Sequence, residues 1–234
     1  MRLFPYYGSK NKAAKKYPAP IFDKIIEPFA GAAGYSCLYH DRDVVLYDNN
    51  PVIVGVIRFL IEASKSDILS LPIIPPGVSV DDYDISTEAK QLIGFWLNNG
   101  TSSPCKRLSA WGRSLWPNVP VNFWGEKCRE RLSNDVMKIK HWRVHLSEYI
   151  NVDNERATWF IDPPYIKDGI HYKKDSSAID YLCLADFCKS RDGQVIVCEN
   201  GDASWLPFEP IYSVTGSGRG RNSKVEIMWT NMEK

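Results

Sequence analysis

KIIEPFAGAAG, residues 24–34, decides the fold class of this chain. Ile25 and Ile26 open an apolar run that predicts a buried strand, and the glycines after Phe29 predict a tight turn. A helix is expected from near Gly34. The next segment, DVVLYDNN (43–50), repeats the pattern: a short apolar strand, then Asn50-Pro51, an N-cap followed by the residue best tolerated at the first helical position. That second helix should run to about Ala63. Strand, helix, strand, helix in this order implies a parallel, doubly wound sheet with helices on both faces.

Outward from there the pattern breaks at Ser64. LSLPIIPPGVSVDDYD reads as turns, STEAKQLIGFWLNNG as a capped helix closed by Gly100, and TSSPCKRLSAWGRSLWPNVP as a long basic loop. From Phe123 helical spacing places Trp124, Cys128, Leu132, Val136 and Ile139 on one face. Strand and helix signals then alternate again: WRVHLSEYI, ATWFID and QVIVCEN as strands, AIDYLCLADFCKS as a helix. The tail, PIYSVTGSGRGRNSKVEIMWTN, predicts an antiparallel hairpin. The expected architecture is an α/β core from residues 1–64 and 123–234, with 65–122 as an inserted small region.

With 234 residues, 44% hydrophobic and 24% charged, the chain has globular composition. It has no run long enough for a membrane span and no secretory h-region, so it is expected to stay in a cytosol. Six cysteines without a CxxC pair or a histidine at ligand spacing argue against a zinc site, and a disulfide scaffold is implausible at this length. No metal is expected. His40, His141, His145 and His171 sit near no nucleophile elbow, and Pro104-Cys105 lies in a polar loop unlike a nucleophile site. The net charge is only +1 but unevenly spread: +5 over residues 1–24, +5 over 101–150 and −5 over 151–209. Basic segments flanking an acidic one permit a polyanionic partner.

Asp162-Pro163-Pro164-Tyr165, directly after the strand ATWFI, carries the strongest chemical signal. Open α/β sheets bind ligands at the carboxyl ends of their strands. An acid, a carbonyl fixed by proline and an aromatic ring there suit a planar ring bearing an amino group. Asp162 and the Pro163 carbonyl would accept its N–H groups, and Tyr165 would stack on its face. Glu27 to Gly34 forms a glycine turn that a ligand could approach, although Phe29 stands where a dinucleotide fingerprint needs its first glycine. Asp48 ends the following strand, where a carboxylate can take both hydroxyls of a ribose.

Together these residues resemble the Dam-type DNA adenine-N6 methyltransferases of the alpha group, whose recognition insert lies between the cofactor and catalytic motifs. The resemblance covers most of the chain outside 65–122. Tyr6-Tyr7-Gly8-Ser9-Lys10 is similar to the family's opening motif, Glu27 to Gly34 to its cofactor loop, and Asp162 to Tyr165 to its DPPY. It implies a class I methyltransferase-like Rossmann fold and S-adenosyl-L-methionine as methyl donor. Tyr6, Lys10, Glu27, Phe29, Gly31, Asp48, Glu148, Tyr149 and Asp162 would contact that donor, and Asp162, Pro163, Pro164 and Tyr165 would form the catalytic motif. Three departures from the pattern are Ser9, Ala33 and Asn49.

The implied partner is double-stranded DNA, met by Lys106, Arg107, Arg113, Arg219 and Arg221. The target adenine would be flipped out of the duplex, because its N6 is unreachable inside the stack. The enzyme is expected as a monomer in a bacterial or phage-infected cell, with or without a restriction endonuclease. Alternative readings are methylation of cytosine N4 or of adenine in RNA, and a catalytically silent DNA-binding module.

Overall fold

The computed structural model describes residues 1–166, 179–201, 203–215 and 223–232. Its strands are β1 (Lys24–Glu27), β2 (Asp43–Asp48), β3 (Arg143–Leu146), β4 (Ala157–Ile161), β5 (Gly193–Asn200), β6 (Glu209–Thr215) and β7 (Ser223–Thr230). They make one sheet in the order β3-β2-β1-β4-β5-β7-β6. The first five run parallel, and β7 pairs antiparallel with both β5 and β6. The chain therefore builds outward from β1 through β2 to β3, then returns to β4 on the other side. Order reverses between β1 and β4, and that reversal opens a crevice above the strands' carboxyl ends.

Alternation along the strands sorts the core into two layers. Ile25, Val44, Leu46, Phe160, Ile196 and Cys198 face one side, with the helices α1 (Pro51–Glu62), α3 (Thr87–Leu97) and α5 (Glu126–Asp135) packed there. Ile26, Val45, Trp159, Ile161, Val195 and Val197 face the other, covered by α6 (Tyr181–Ser190). Burial on both faces explains why these strands read as continuous apolar runs. The expected mixed α/β sheet with helices on both faces is what the chain forms.

Local chemistry sets the helix boundaries. Asn50 Oδ1 accepts from Val52 N at 3.0 Å, and Pro51 occupies the first turn of α1. Trp124, Cys128, Leu132, Val136 and Ile139 are all buried, as their spacing predicts.

Three readings need correction. No helix begins at Gly34: residues 33–42 make a series of turns, with Ala33 at φ +50° and the Ser36 N–H donated to the Glu27 carboxylate. Ser64 and Asp67 form a capping box that starts α2 (Lys65–Ser70), which ends just inside the turn-rich stretch. The basic loop likewise contains α4 (Ala110–Ser114), capped by Ser109. Residues 65–122 do not pack separately. Ile68, Leu92, Phe95, Trp96 and Leu108 share a single core with Ile25 and Leu46.

Cys37, Cys128, Cys188 and Cys198 are buried, and all six thiols are free. Among the described residues no helix is long and apolar enough to cross a membrane. The connection between β6 and β7 falls outside the described residues.

Candidate functional site

Two adjoining cavities open at the carboxyl edge of the sheet. The first, of about 290 Å³, is faced by Glu27, Phe29, Gly31, Asp48, Phe160 and Asp162. The second, of about 530 Å³, is faced by Lys12, Lys16, Tyr165, Asn200, Tyr212 and Glu226. Tyr6 to Lys10 and Asp162 line both, so the N-terminal arm and the residue after β4 form the wall between them.

Glycine lets the arm reach that position. A Cβ on Gly34 would stand 2.8 Å from the backbone nitrogens of Lys10 and Asn11, so the arm could not cross a bulkier residue there. Gly31, at φ +48°, turns the loop under the Tyr6 ring. Asp48 holds this loop from β2: Oδ2 accepts from Gly31 N at 2.9 Å and Oδ1 from Asn50 N at 2.8 Å. Burial pushes the Asp48 carboxyl up to about 6, and these two N–H groups restrain the rise. Each oxygen keeps a further lone pair for a ligand hydroxyl.

The wall itself is an ionic cluster. Lys10 Nζ lies 2.8 and 3.1 Å from the two Asp162 oxygens, 3.6 Å from Glu226 Oε1 and 4.6 Å from the Tyr165 ring centroid. Burial opposes the ammonium, but Asp162 and Glu226 outweigh it and hold Lys10 above the usual lysine range. Burial raises the Asp162 carboxyl, and Lys10 pulls it back. Glu226 Oε1 also accepts from Tyr17 OH at 2.6 Å and Tyr165 OH at 2.5 Å. Tyr165 is thereby fixed at ring and hydroxyl. Pro163 is buried and lines neither cavity, whereas Pro164 lines the first and its carbonyl accepts from Tyr181 OH at 2.6 Å.

Glu27 is the most deeply placed acid of the first cavity, at 2% exposure. Burial pushes it up to about 8 against an ordinary 4.5, while the Ser36 N–H at 2.8 Å pulls the other way. Between those two values the unfolded chain releases a proton that the folded chain keeps, so Glu27 costs stability as pH rises through the window. Glu27→Gln removes this penalty and still accepts from Ser36. Its stability relative to the parent should therefore grow by about 2–4 kcal/mol from pH 4.5 to 8. Urea melts at both pH values measure this, and a difference independent of pH would refute the assignment.

Tyr6, Lys10, Glu27, Phe29, Gly31, Asp48 and Asp162 thus converge, as expected from sequence, on one cavity. Glu148 and Tyr149 stand one layer behind it rather than in its lining. Asn49 Nδ2 donates to Glu148 Oε2 at 2.9 Å, and Tyr149 stacks on Phe29 at 5.2 Å between centroids. Lys106, Arg107 and Arg113 are exposed and line neither cavity. Lys106 pairs with Asp81 at 2.6 Å, and Arg113 donates to the Leu108 carbonyl at 2.9 Å. Arg219 and Arg221 lie outside the described residues.

Sequence reading missed Glu226, which ties together Lys10, Tyr17 and Tyr165. The signal was present as an acid set between Val225 and Ile227 in an apolar strand. Pairing of β7 with β5 places it opposite Asn200, at the carboxyl edge.

No protein-family model matches the chain, and no curated protein matches it. Among solved structures it is similar to a conserved hypothetical protein from Streptococcus pyogenes, at 12% identity over 95% of this chain and 92% of that one. The TM-score of that likeness is 0.36.

Proposed function

We propose that the chain is a DNA methyltransferase that moves a methyl group from S-adenosyl-L-methionine to N6 of an adenine flipped out of duplex DNA. The observation that carries this reading is the shared wall: one acid, Asp162, faces both a nucleoside-sized cavity and an aromatic, basic one. A donor and an acceptor held in the two cavities would meet at Asp162. The resemblance to the Dam-type family supplies their identity. The sheet order, with antiparallel β7 between β5 and β6, supports the methyltransferase-like form of the fold.

The first cavity fits the donor chemically. Two carboxylates, Asp48 and Asp162, face it against one ammonium, Lys10, beside the protonated Glu27, and the excess negative charge suits a cationic ligand. Asp48 has lone pairs for a ribose diol, and Phe29 and Phe160 offer apolar wall. When bound, S-adenosyl-L-methionine supplies an electrophilic methyl on sulfur, whose C–S bond breaks with its electron pair left on sulfur.

The chain's own residues do the rest. Asp162 accepts one amine hydrogen and, as the resemblance implies, the Pro163 carbonyl would accept the other, which turns the nitrogen lone pair toward the methyl. Asp162 then takes the proton that the alkylated nitrogen sheds. Tyr165, fixed by Glu226, gives the flipped base its stacking face. Lys10, on both Asp162 oxygens, opposes the rise that burial imposes on this acid and leaves it lone pairs for the amine.

Calorimetry tests the donor half of the reading. The chain should bind S-adenosyl-L-methionine one to one without DNA, whereas a silent DNA-binding module would give a flat isotherm.

A further inference from the structure

A cleft of about 390 Å³ lies apart from both cavities, lined by Arg2, Trp96, Val121, Asn122, Arg131 and Asp135 among others. The guanidinium carbons of Arg2 and Arg131 stand 5.4 and 5.2 Å from the centroid of the Trp96 ring. Arg131 is compensated: its Nη1 donates to Asp135 Oδ2 at 2.7 Å and to the Arg2 carbonyl at 3.0 Å. Lys138 takes the other Asp135 oxygen at 2.9 Å.

Arg2 differs. Among the described residues it has no carboxylate within ion-pair distance, and its Nε is buried without a hydrogen-bond partner. Trp96, 1% exposed, has its Nε1 in the same condition. Burial and the neighbouring Arg131 charge push the Arg2 guanidinium below its ordinary range. A half-buried cation beside a second cation, with two donors unmet, is costly unless something negative arrives.

Every unmet group here is a donor, so the missing partner is an acceptor. Asp135 is the one carboxylate lining the cleft, and its oxygens are already engaged by Arg131 and Lys138, so with Arg2 added the cleft stays net positive. Guanidinium geometry matches the paired oxygens of a phosphate. We propose that this cleft is a phosphate site, with Arg2 as its main ligand and the Trp96 N–H as a supporting donor. Its source is either a backbone phosphate of bound DNA or a free phosphate. The first source rests on the function proposed above. Arg2 lies at most about 13–14 Å along the arm from Tyr6, within the span of one duplex contact surface. Val121 and Asn122 bring in the end of the basic 101–122 segment.

Arg2→Gln separates the outcomes. In chloride buffer the variant should melt no lower than the parent, because the parent carries an uncompensated charge. Inorganic phosphate at tenfold its Kd, against chloride at equal ionic strength, should raise the parent's Tm by roughly 3–6 °C and leave the variant unmoved. A duplex arm identifies the source. If the ligand is DNA backbone, Arg2→Gln weakens duplex binding several-fold and lowers the salt slope by about one. If duplex binding is unchanged but the phosphate effect is lost in the variant, the ligand is free phosphate. The proposal fails if phosphate acts only as chloride does and the salt slope is unchanged. It also fails if the variant melts lower by the same margin in both buffers, the mark of a merely structural arginine. None of these readouts requires methylation, so loss of the proposed activity would leave the phosphate result standing.

Discussion

Asp162→Asn should lower methyl transfer by about 10²–10³-fold while duplex affinity stays within a few-fold of the parent. The loss is electrostatic and chemical together. An asparagine keeps one carbonyl acceptor, but its NH₂ points donors at an incoming amine and it cannot take the proton that the alkylated nitrogen must lose. Asparagine is the informative replacement because of Lys10. Alanine would leave a buried ammonium with Glu226, at 3.6 Å, as its remaining carboxylate, at a stability cost of about 3–5 kcal/mol. Single-turnover rates beside duplex binding make the measurement. A variant rate within threefold of the parent would remove Asp162 from the reaction.

The second large effect belongs to Asp48. Asp48→Ala should weaken S-adenosyl-L-methionine by about 10²-fold or more, since each charge-assisted bond to a ribose hydroxyl is worth about 1.5–3 kcal/mol. The structure adds a second reason: the same carboxylate pins Gly31 N and Asn50 N, so alanine also frees the loop under the ligand. Asp48→Asn keeps one of those amide contacts and should fall between alanine and the parent. Calorimetry orders the three proteins, and duplex binding should not change. Equal cofactor affinity in all three would show that Asp48 serves the fold alone.

Legibility from sequence followed the range of each interaction. The β1–β2–α1 unit could be read because its determinants are local: apolar runs, Asn50 as a cap, Pro51 at the first turn. The placement of Asp48 and Asp162 at one cavity was legible because each follows a buried strand. The turns after Ala33 were not, since a carboxylate nine residues earlier takes the Ser36 N–H. The capping box that starts α2 was overlooked although Ser64 and Asp67 carry its pattern. Glu226 was illegible for a different reason. Its role depends on the register that sets it opposite Asn200, and on partners as distant as Tyr17, 209 residues away. The pairing of Lys10 with Asp162 spans 152 residues and likewise exists only once the arm crosses Gly34.

The most direct test of the central claim is where a labelled methyl group ends up. Purified chain is incubated with duplex DNA and S-adenosyl-L-methionine labelled on the methyl, and the DNA is digested to nucleosides for mass spectrometry. The account predicts labelled N6-methyladenine with the parent protein and a yield at least about 10²-fold lower with Asp162→Asn. Label on cytosine N4, label appearing only when RNA replaces DNA, or no label although donor and duplex both bind, would contradict it.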